Sequence, residues 1–268
     1  RSEGCKTAGC DYDVVVIGGG FAGVTAARDS RKNGYKTLIL EARNRLGGRT
    51  FSAEFAGHHV ELGGTWIHWT QPFVWAEKER YGLEIKETPN SANPATEQVI
   101  VRVGDKPESV SGEQMLEMLS GFDQYFAEGR EIWDRPYDAK YTWDKLIARD
   151  GMSATDRYKQ LKLNPMQRTM VDGYLATMAH CPTEQASYIE VARWWSLPGW
   201  NLPITNDSVT RYAFKDGTIS LINAMIDDGK PDVRLSTPVK KVEDKGDRVI
   251  ITTQKGEQFV AGSVIIAL

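Results

Sequence analysis

Apolar and polar positions follow two different periods along this chain, and each change of period marks an element. Asp13-Val14-Val15-Val16-Ile17 is an apolar run of strand length, Gly18-Gly19-Gly20-Phe21-Ala22-Gly23 ends it, and the residues that follow suit a helix. A second run, Lys36-Thr37-Leu38-Ile39-Leu40, completes a strand, turn, helix and strand. Thr50 to Val60 reads as an extended excursion returning through Glu61-Leu62-Gly63-Gly64, and Pro72 to Tyr81 as an amphipathic helix. The polar stretch Thr88-Pro89-Asn90-Ser91-Ala92-Asn93-Pro94 predicts a surface loop. From Gly112 to about Ala179 apolar residues recur at helical spacing, among them Met115, Leu116, Leu119, Phe122, Tyr125 and Phe126. That spacing predicts a helical subdomain inserted into the first fold, with its aromatic stripe used for core packing.

Strand-like runs return at Val233-Arg234-Leu235, Val239 to Val242, Arg248 to Thr253 and Gln258 to Val260. Turns at Asp244-Lys245-Gly246-Asp247 and Lys255-Gly256 make them a meander appended to the opening unit. Ser263-Val264-Ile265-Ile266-Ala267-Leu268 has the β-branched profile of a buried parallel strand, yet no crossover helix follows it. The 268 residues are therefore expected to be part of a longer polypeptide.

Composition changes this picture little. A hydrophobic content of 41% supports a substantial core, and 33 Lys plus Arg against 36 Asp plus Glu give a net charge of −3, which offers no field for nucleic acid. No apolar run approaches the ~20 residues that span a bilayer. Cys5, Cys10 and Cys181 form no disulfide framework and read as free thiols, with a local Cys5–Cys10 bridge expected only in a secreted protein. An intracellular place, cytoplasmic or peroxisomal, is expected, and no metal site is indicated by His58, His59, His68 and His180.

The first glycine cluster carries the chemistry. Gly18 permits the tight turn, Gly20 lets backbone approach a pyrophosphate, Gly23 allows close helix-to-strand packing, and the helix start at Phe21 and Ala22 offers unpaired N–H groups. Glu41 follows at about the 20-residue interval at which an acidic side chain receives ribose hydroxyls, and its charge opposes a 2′-phosphate. That leaves FAD or NAD. The next element, Ala42-Arg43-Asn44-Arg45-Leu46-Gly47-Gly48-Arg49, allows a second backbone approach at Gly48 and a guanidinium on phosphate from Arg49. An NAD enzyme has no need of it. Arg43, Arg45 and Arg49, taken alone, have a solvated basic loop as their alternative reading.

These residues, with Glu61-Leu62-Gly63-Gly64-Thr65-Trp66-Ile67-His68 and Trp69, resemble the signatures of flavin-dependent amine oxidases. Trp194-Trp195 and Tyr212-Ala213-Phe214-Lys215-Asp216-Gly217 bring the resemblance nearest to fungal monoamine oxidases. The resemblance implies an α/β fold, an FAD-binding Rossmann-like (two-dinucleotide-binding) domain with an inserted, partly helical substrate domain, the C-terminal half lying outside this chain. Its expected segments are 1–88 and 223–268 for the FAD domain and 89–222 for the substrate domain. It further implies FAD as cofactor, oxidation of a small amine to an imine by O2 with release of hydrogen peroxide, and the remaining C-terminal polypeptide as partner. A homodimer is compatible with it.

Carried over residue by residue, the resemblance adds Leu62, Gly63, Gly64, Thr65 and Trp66 to the cofactor contacts, and places the Val239 backbone, in Ser236-Thr237-Pro238-Val239, against adenine. Without it, Val239 reads as the start of an ordinary edge strand. Substrate-lining positions fall on Tyr174, Thr177, Asn206 and Thr210, the last two more polar than a simple arylalkyl amine requires. The lysine near flavin N5 and an aromatic cage are expected outside this chain. Two other readings stay open, a related FAD-dependent amino-acid oxidase or desaturase, and a non-catalytic flavin-binding module.

Overall fold

The computed structural model describes residues 9–88, 100–103 and 106–268. Cys5 and most of the expected 88–94 loop lie outside the described residues, and Cys10 and Cys181 are free thiols. The chain divides into two compact units, one of Arg1–Ile67, Phe73–Lys86 and Ala213–Leu268, the other of His68–Pro72 and Glu87–Tyr212.

The first unit opens with β1 (Tyr12–Ile17), α1 (Phe21–Lys32) and β2 (Thr37–Leu40). The hairpin β3 (Ser52–Phe55) and β4 (His58–Glu61) follows, then β5 (Trp66–Ile67), α2 (Pro72–Arg80) and β6 (Ile85–Glu87). Helix α2 forms as expected but buries none of its residues, and Phe73 on it is exposed. In the second unit β7 (Ile100–Val103) pairs with β8 (Lys106–Ser109). Seven helices follow among the described residues: α3 (Gly112–Tyr125), α4 (Gly129–Ile132), α5 (Trp143–Ile147), α6 (Ala154–Lys159), α7 (Pro165–Ala179), α8 (Tyr188–Ser196) and α9 (Leu202–Thr210). The chain returns through β9 (Tyr212–Phe214) to α10 (Ile219–Gly229), β10 (Asp232–Arg234), β11 (Val239–Asp244), β12 (Val249–Thr253) and β13 (Gln258–Ile266).

Six strands form the main sheet in the order β10-β2-β1-β13-β12-β11. The first four run parallel, and β12 is antiparallel to both of its neighbours. Continuous apolar runs such as Leu38-Ile39-Leu40 suit this position, because a parallel strand needs cover on both faces. Val15, Ile17, Leu38, Leu40, Ile251, Phe259 and Ala261 share one core on it. Two runs expected to be separate, 258–260 and 263–268, are one strand. Ala261 pairs with Val249 on one side and with Tyr12 on the other, so the ladder carries the chain through Gly262 without a break. Beyond Ala261 the strand keeps β1 as its partner but leaves β12, which is why Val264 and Ile265 are only half-buried and Ile266 is exposed. Full burial of this segment was the expectation, and the one-sided pairing overrides it.

The helical stretch from Gly112 to Ala179 is divided into five helices by local capping. Ser111 with Gln114, Ser153 with Asp156, and Asn164 with Gln167 each form a reciprocal capping box, and Pro165 opens α7 where its missing N–H costs nothing. Between these helices the aromatic stripe packs as a core, with Phe126 stacked on Trp195 at 4.6 Å and the Tyr125 hydroxyl donating to the Ala154 carbonyl at 3.1 Å. The chain leaves this unit after Tyr212, whereas the sequence placed the boundary after residue 222. Helix α10 accounts for the difference, since Gly229 lies so close to the Arg28 backbone of α1 that a Cβ there would crowd it.

Candidate functional site

A pocket of about 730 Å³ opens in the first unit, lined by residues 17–22, 40–43, 47–50, 237–242 and 266–268. It lies past the carboxyl ends of β1 and β2, where open α/β sheets bind ligands. Its charged side chains are Arg43, Arg49, Lys240 and Lys241 with one carboxylate, Glu41, a balance that suits a bound anion.

The glycines have distinct jobs. Gly18 has φ of +108°, and a Cβ on it would overlap the Ala267 carbonyl, so the turn and the end of β13 press directly together. A Cβ on Gly23 would overlap the Gly18 carbonyl, which lets α1 lie against the turn. Gly20 is different. A Cβ there would meet only the Gly48 Cα at 3.8 Å, an ordinary contact, so the protein itself makes no demand for glycine at this point. Gly20 is the N-cap of α1, with no side-chain cap and no acidic residue in the first turn. These first-turn amides are thus left for an anion, and the missing side chain gives it room.

Glu41 is buried, its Oε2 accepting from Gly19 N at 2.6 Å and its Oε1 from Arg43 N at 2.7 Å. Each oxygen retains a lone pair for a hydroxyl in the pocket. Gly19 was not among the residues expected to matter, because a backbone donor leaves no signature in a side-chain pattern. The same holds for Arg45. Its guanidinium donates to the carbonyls of Leu46 at 3.2 Å, Gly48 at 3.1 Å and Thr50 at 3.0 Å, and sits 4.3 Å from the centre of the Phe51 ring. It therefore shapes the Gly47–Gly48 turn, where φ is +103° and +59°, instead of standing in solvent.

Arg49 has no hydrogen-bond or ion-pair partner for its side chain among the described residues, and it is exposed on the pocket wall. Arg49→Ala should leave thermal stability unchanged while weakening cofactor retention by about 1.5–3 kcal/mol, the value of a charge-assisted contact. Dialysis against flavin-free buffer, followed by the flavin-to-protein absorbance ratio, measures this. A variant that keeps its full complement would remove Arg49 from the site.

Of the sequence-derived cofactor residues, Gly18, Gly20, Phe21, Ala22, Glu41, Ala42, Arg43, Gly48, Arg49 and Val239 line the pocket. Gly23, Leu62, Gly63, Gly64, Thr65 and Trp66 do not. Gly63 and Gly64 pack against the Arg49 backbone that borders the pocket: a Cβ on Gly63 would overlap the Arg49 carbonyl, which accepts from Gly64 N at 3.1 Å. Just before them, Glu61 accepts from Ser52 Oγ at 2.7 Å, from Thr218 N at 3.0 Å and from Thr218 Oγ1 at 2.9 Å. Burial pushes the Glu61 carboxyl upward, but these donors and His59 outweigh it and hold the group below the usual range. Its charge faces the first turn of α10. Gly217 has φ of +77°, a backbone conformation that favours glycine, and the ends of the Glu61 and His59 side chains lie against it.

In the second unit Tyr174 and Thr177 lie on α7, Asn206 and Thr210 on α9. The Tyr174 ring meets Phe122 edge-on at 5.1 Å, and its buried hydroxyl has no hydrogen-bond partner among the described residues. Burial pushes that phenol upward. Thr177 Oγ1 donates to the Gly173 carbonyl and Thr210 Oγ1 to the Asn206 carbonyl, both one turn back, while the Asn206 side chain is exposed. His68, also in this unit, was left unassigned by the sequence and is completely buried.

Residues 21–268 match the family described as flavin containing amine oxidoreductase. The chain is 44% identical over 259 residues to a pseudooxynicotine dehydrogenase of Pseudomonas sp, covering 96% of this chain and 52% of that protein. It is 40% identical to a nicotine dehydrogenase of Pseudomonas putida, covering 97% of this chain and 54% of the relative. It thus spans about half the length of the curated relatives it matches. Among solved structures, cyclohexylamine oxidase from Brevibacterium oxydans superposes with a TM-score of 0.75 at 21% identity, over 96% of this chain and 58% of that one, a likeness of fold.

Proposed function

The chain belongs to the flavin containing amine oxidoreductase family, and from that premise we propose that it supplies the FAD-holding part of an enzyme oxidising an amine to an imine. The observation that carries this reading is the pocket beside β1 and β2, in which Glu41, Arg49 and an uncapped helix start face one space. The residues present fit FAD: the first-turn amides of α1 beside Gly20 would hold the pyrophosphate, Glu41 would take the ribose hydroxyls, Arg49 would balance phosphate charge, and the Val239 backbone would border the adenine. When bound, such a cofactor supplies acceptance of a hydride equivalent from the carbon next to the amine nitrogen. The protein's share is to orient that carbon, exclude water and favour the neutral amine.

The substrate class we infer is an amine of the nicotine kind, supported by the names of the two relatives above. Tyr174, Thr177, Asn206 and Thr210 are the residues of this chain proposed to meet it. The rest of the site would come from polypeptide corresponding to the part of the relatives beyond this match, and assembly as a homodimer belongs to the same proposal. So does an intracellular location, cytoplasmic or peroxisomal, in keeping with the free thiols of Cys10 and Cys181.

Anaerobic addition of nicotine to the flavin-loaded enzyme should bleach its absorbance, and readmitted air should restore the colour with release of hydrogen peroxide. Both relatives are named dehydrogenases, which favours a second reading in which an acceptor other than O2 takes the electrons. Bleaching with slow recovery in air selects that reading. Absence of bleaching over a broad panel of amines and amino acids points to a flavin-binding module without catalysis. Asn206→Leu should shift preference between amines while leaving flavin content intact, and unchanged kcat/KM values for all of them would remove Asn206 from the site.

A further inference from the structure

His68 is the one completely buried histidine among the described residues, and nothing in the cofactor site uses it. Its Nδ1 accepts from Thr70 N at 3.3 Å and lies 2.9 Å from Thr70 Oγ1. A ring nitrogen that accepts a backbone N–H carries no proton, so the imidazole hydrogen is on Nε2, which donates to Asp207 Oδ2 at 3.1 Å. Asp207 Oδ1 lies 3.5 Å from Arg211 Nη1, and Arg211 Nη2 pairs with Glu87 at 3.1 Å. The chain Thr70, His68, Asp207, Arg211, Glu87 thereby ties three separate stretches of the second unit together. Thr88 completes the tie, its N donating to the Arg211 carbonyl at 2.8 Å and its hydroxyl to the Thr210 carbonyl.

We propose that the His68–Asp207 pair is a positioning clamp for amine selectivity, fixing helix α9 and with it the side chains of Asn206 and Thr210. On a helix, positions 207 and 211 share one face and 206 and 210 the face next to it, so bonding of the first pair sets the direction of the second. The other end of α9 is capped by Asn201, whose side chain accepts from Ile204 N at 3.1 Å. Trp69, adjacent to the clamp and 46% exposed, packs its ring against the His68 imidazole at 3.5 Å between centroids, so the same pair sets this aromatic surface as well. Burial, opposed by Asp207 and aided by Arg211, keeps His68 below the ordinary histidine range. With Nδ1 committed to a backbone donor, His68 positions and does not exchange protons. This inference rests on the reading of Asn206 and Thr210 as substrate-lining.

The test has two arms on the full-length, flavin-loaded enzyme. Histidine-selective 15N NMR at pH 6.5, where an ordinary histidine is about half protonated, should show one neutral ring with Nε2 protonated and Nδ1 bare. That signal should disappear in His68→Gln. A protonated or Nδ1–H ring at His68 overturns the clamp. In the second arm, the ratio of kcat/KM for nicotine to that for cyclohexylamine should change about tenfold in Asp207→Ala, since small misplacements near a reacting centre are costly. Asp207→Asn keeps an acceptor for Nε2–H and should return the ratio to within about twofold of wild type. An unchanged ratio in flavin-loaded Asp207→Ala refutes the inference. If Asp207→Ala does not fold, a wild-type ratio in His68→Phe, which has no donor for Asp207, refutes it equally. Should wild type bleach with neither amine, the functional reading fails and the selectivity role falls with it, whereas bleaching with an unchanged ratio in Asp207→Ala overturns the clamp alone.

Discussion

Gly23→Ala is expected to yield protein that neither folds stably nor carries flavin, whereas Gly20→Ala should fold normally and lose flavin alone. The two positions lie three residues apart at one helix start, and the added methyl group is the same. At Gly23 it would overlap the Gly18 carbonyl, with the Val16 side chain 3.3 Å away, and neither backbone atom can yield without moving α1 off the sheet. Alanine ordinarily gains up to about 1 kcal/mol over glycine in a helix. Overpacking typically costs about 1–3 kcal/mol and occasionally more, and a clash with backbone atoms belongs at the upper end, so the clash wins. At Gly20 the nearest protein atom is 3.8 Å away, and only a ligand would feel the methyl group. Thermal denaturation and flavin-to-protein ratio, measured together, separate the two outcomes. Normal flavin content in Gly20→Ala would sink the assignment of the pocket.

Glu41→Ala should deplete flavin and also destabilise the apoprotein, a double effect that the ribose role alone does not predict. The carboxylate accepts the Gly19 and Arg43 amides, and leaving the buried Gly19 N–H without a partner costs about 1–3 kcal/mol. Glu41→Gln is not a conservative control. Its amide has one acceptor oxygen, so its NH2 must face one of two backbone donors. The glutamine variant is therefore expected to fall between wild type and alanine in apoprotein stability. Apoprotein melting temperatures equal across all three would show that the carboxylate serves only the cofactor.

The pattern of this pocket was legible in sequence wherever one residue type has one physical use. Apolar runs predicted β1 and β2, and the spacing from Gly18 to Glu41 predicted what stands at their ends. Other parts were silent because their partners are backbone atoms or distant in the chain. Arg45 reads as a solvated cation until its three carbonyl partners are seen. Gly63 and Gly64 carry the same glycine signal as Gly20, and their close contact with the Arg49 backbone is visible only in the fold. His68 stood at the end of a recognised motif with no role of its own, since its partner Asp207 lies 139 positions away. Gly262 would end a strand by local preference, and pairing of Ala261 on both sides overrode it.

The double pairing at Ala261 also sets an order of events during synthesis. Val260 N donates to Asp11 across 249 positions of sequence, and Ala267 N donates to the Ile17 carbonyl at 2.8 Å, beside the turn at Gly18. Until residues 260–267 leave the ribosome, the opening strand lacks its neighbour and the nucleotide pocket lacks a wall. At about 5–20 residues per second that delay lasts on the order of ten seconds or more. A nascent chain halted before Ala261 should accordingly fail to retain FAD, which ties cofactor capture to the arrival of β13 beside β1.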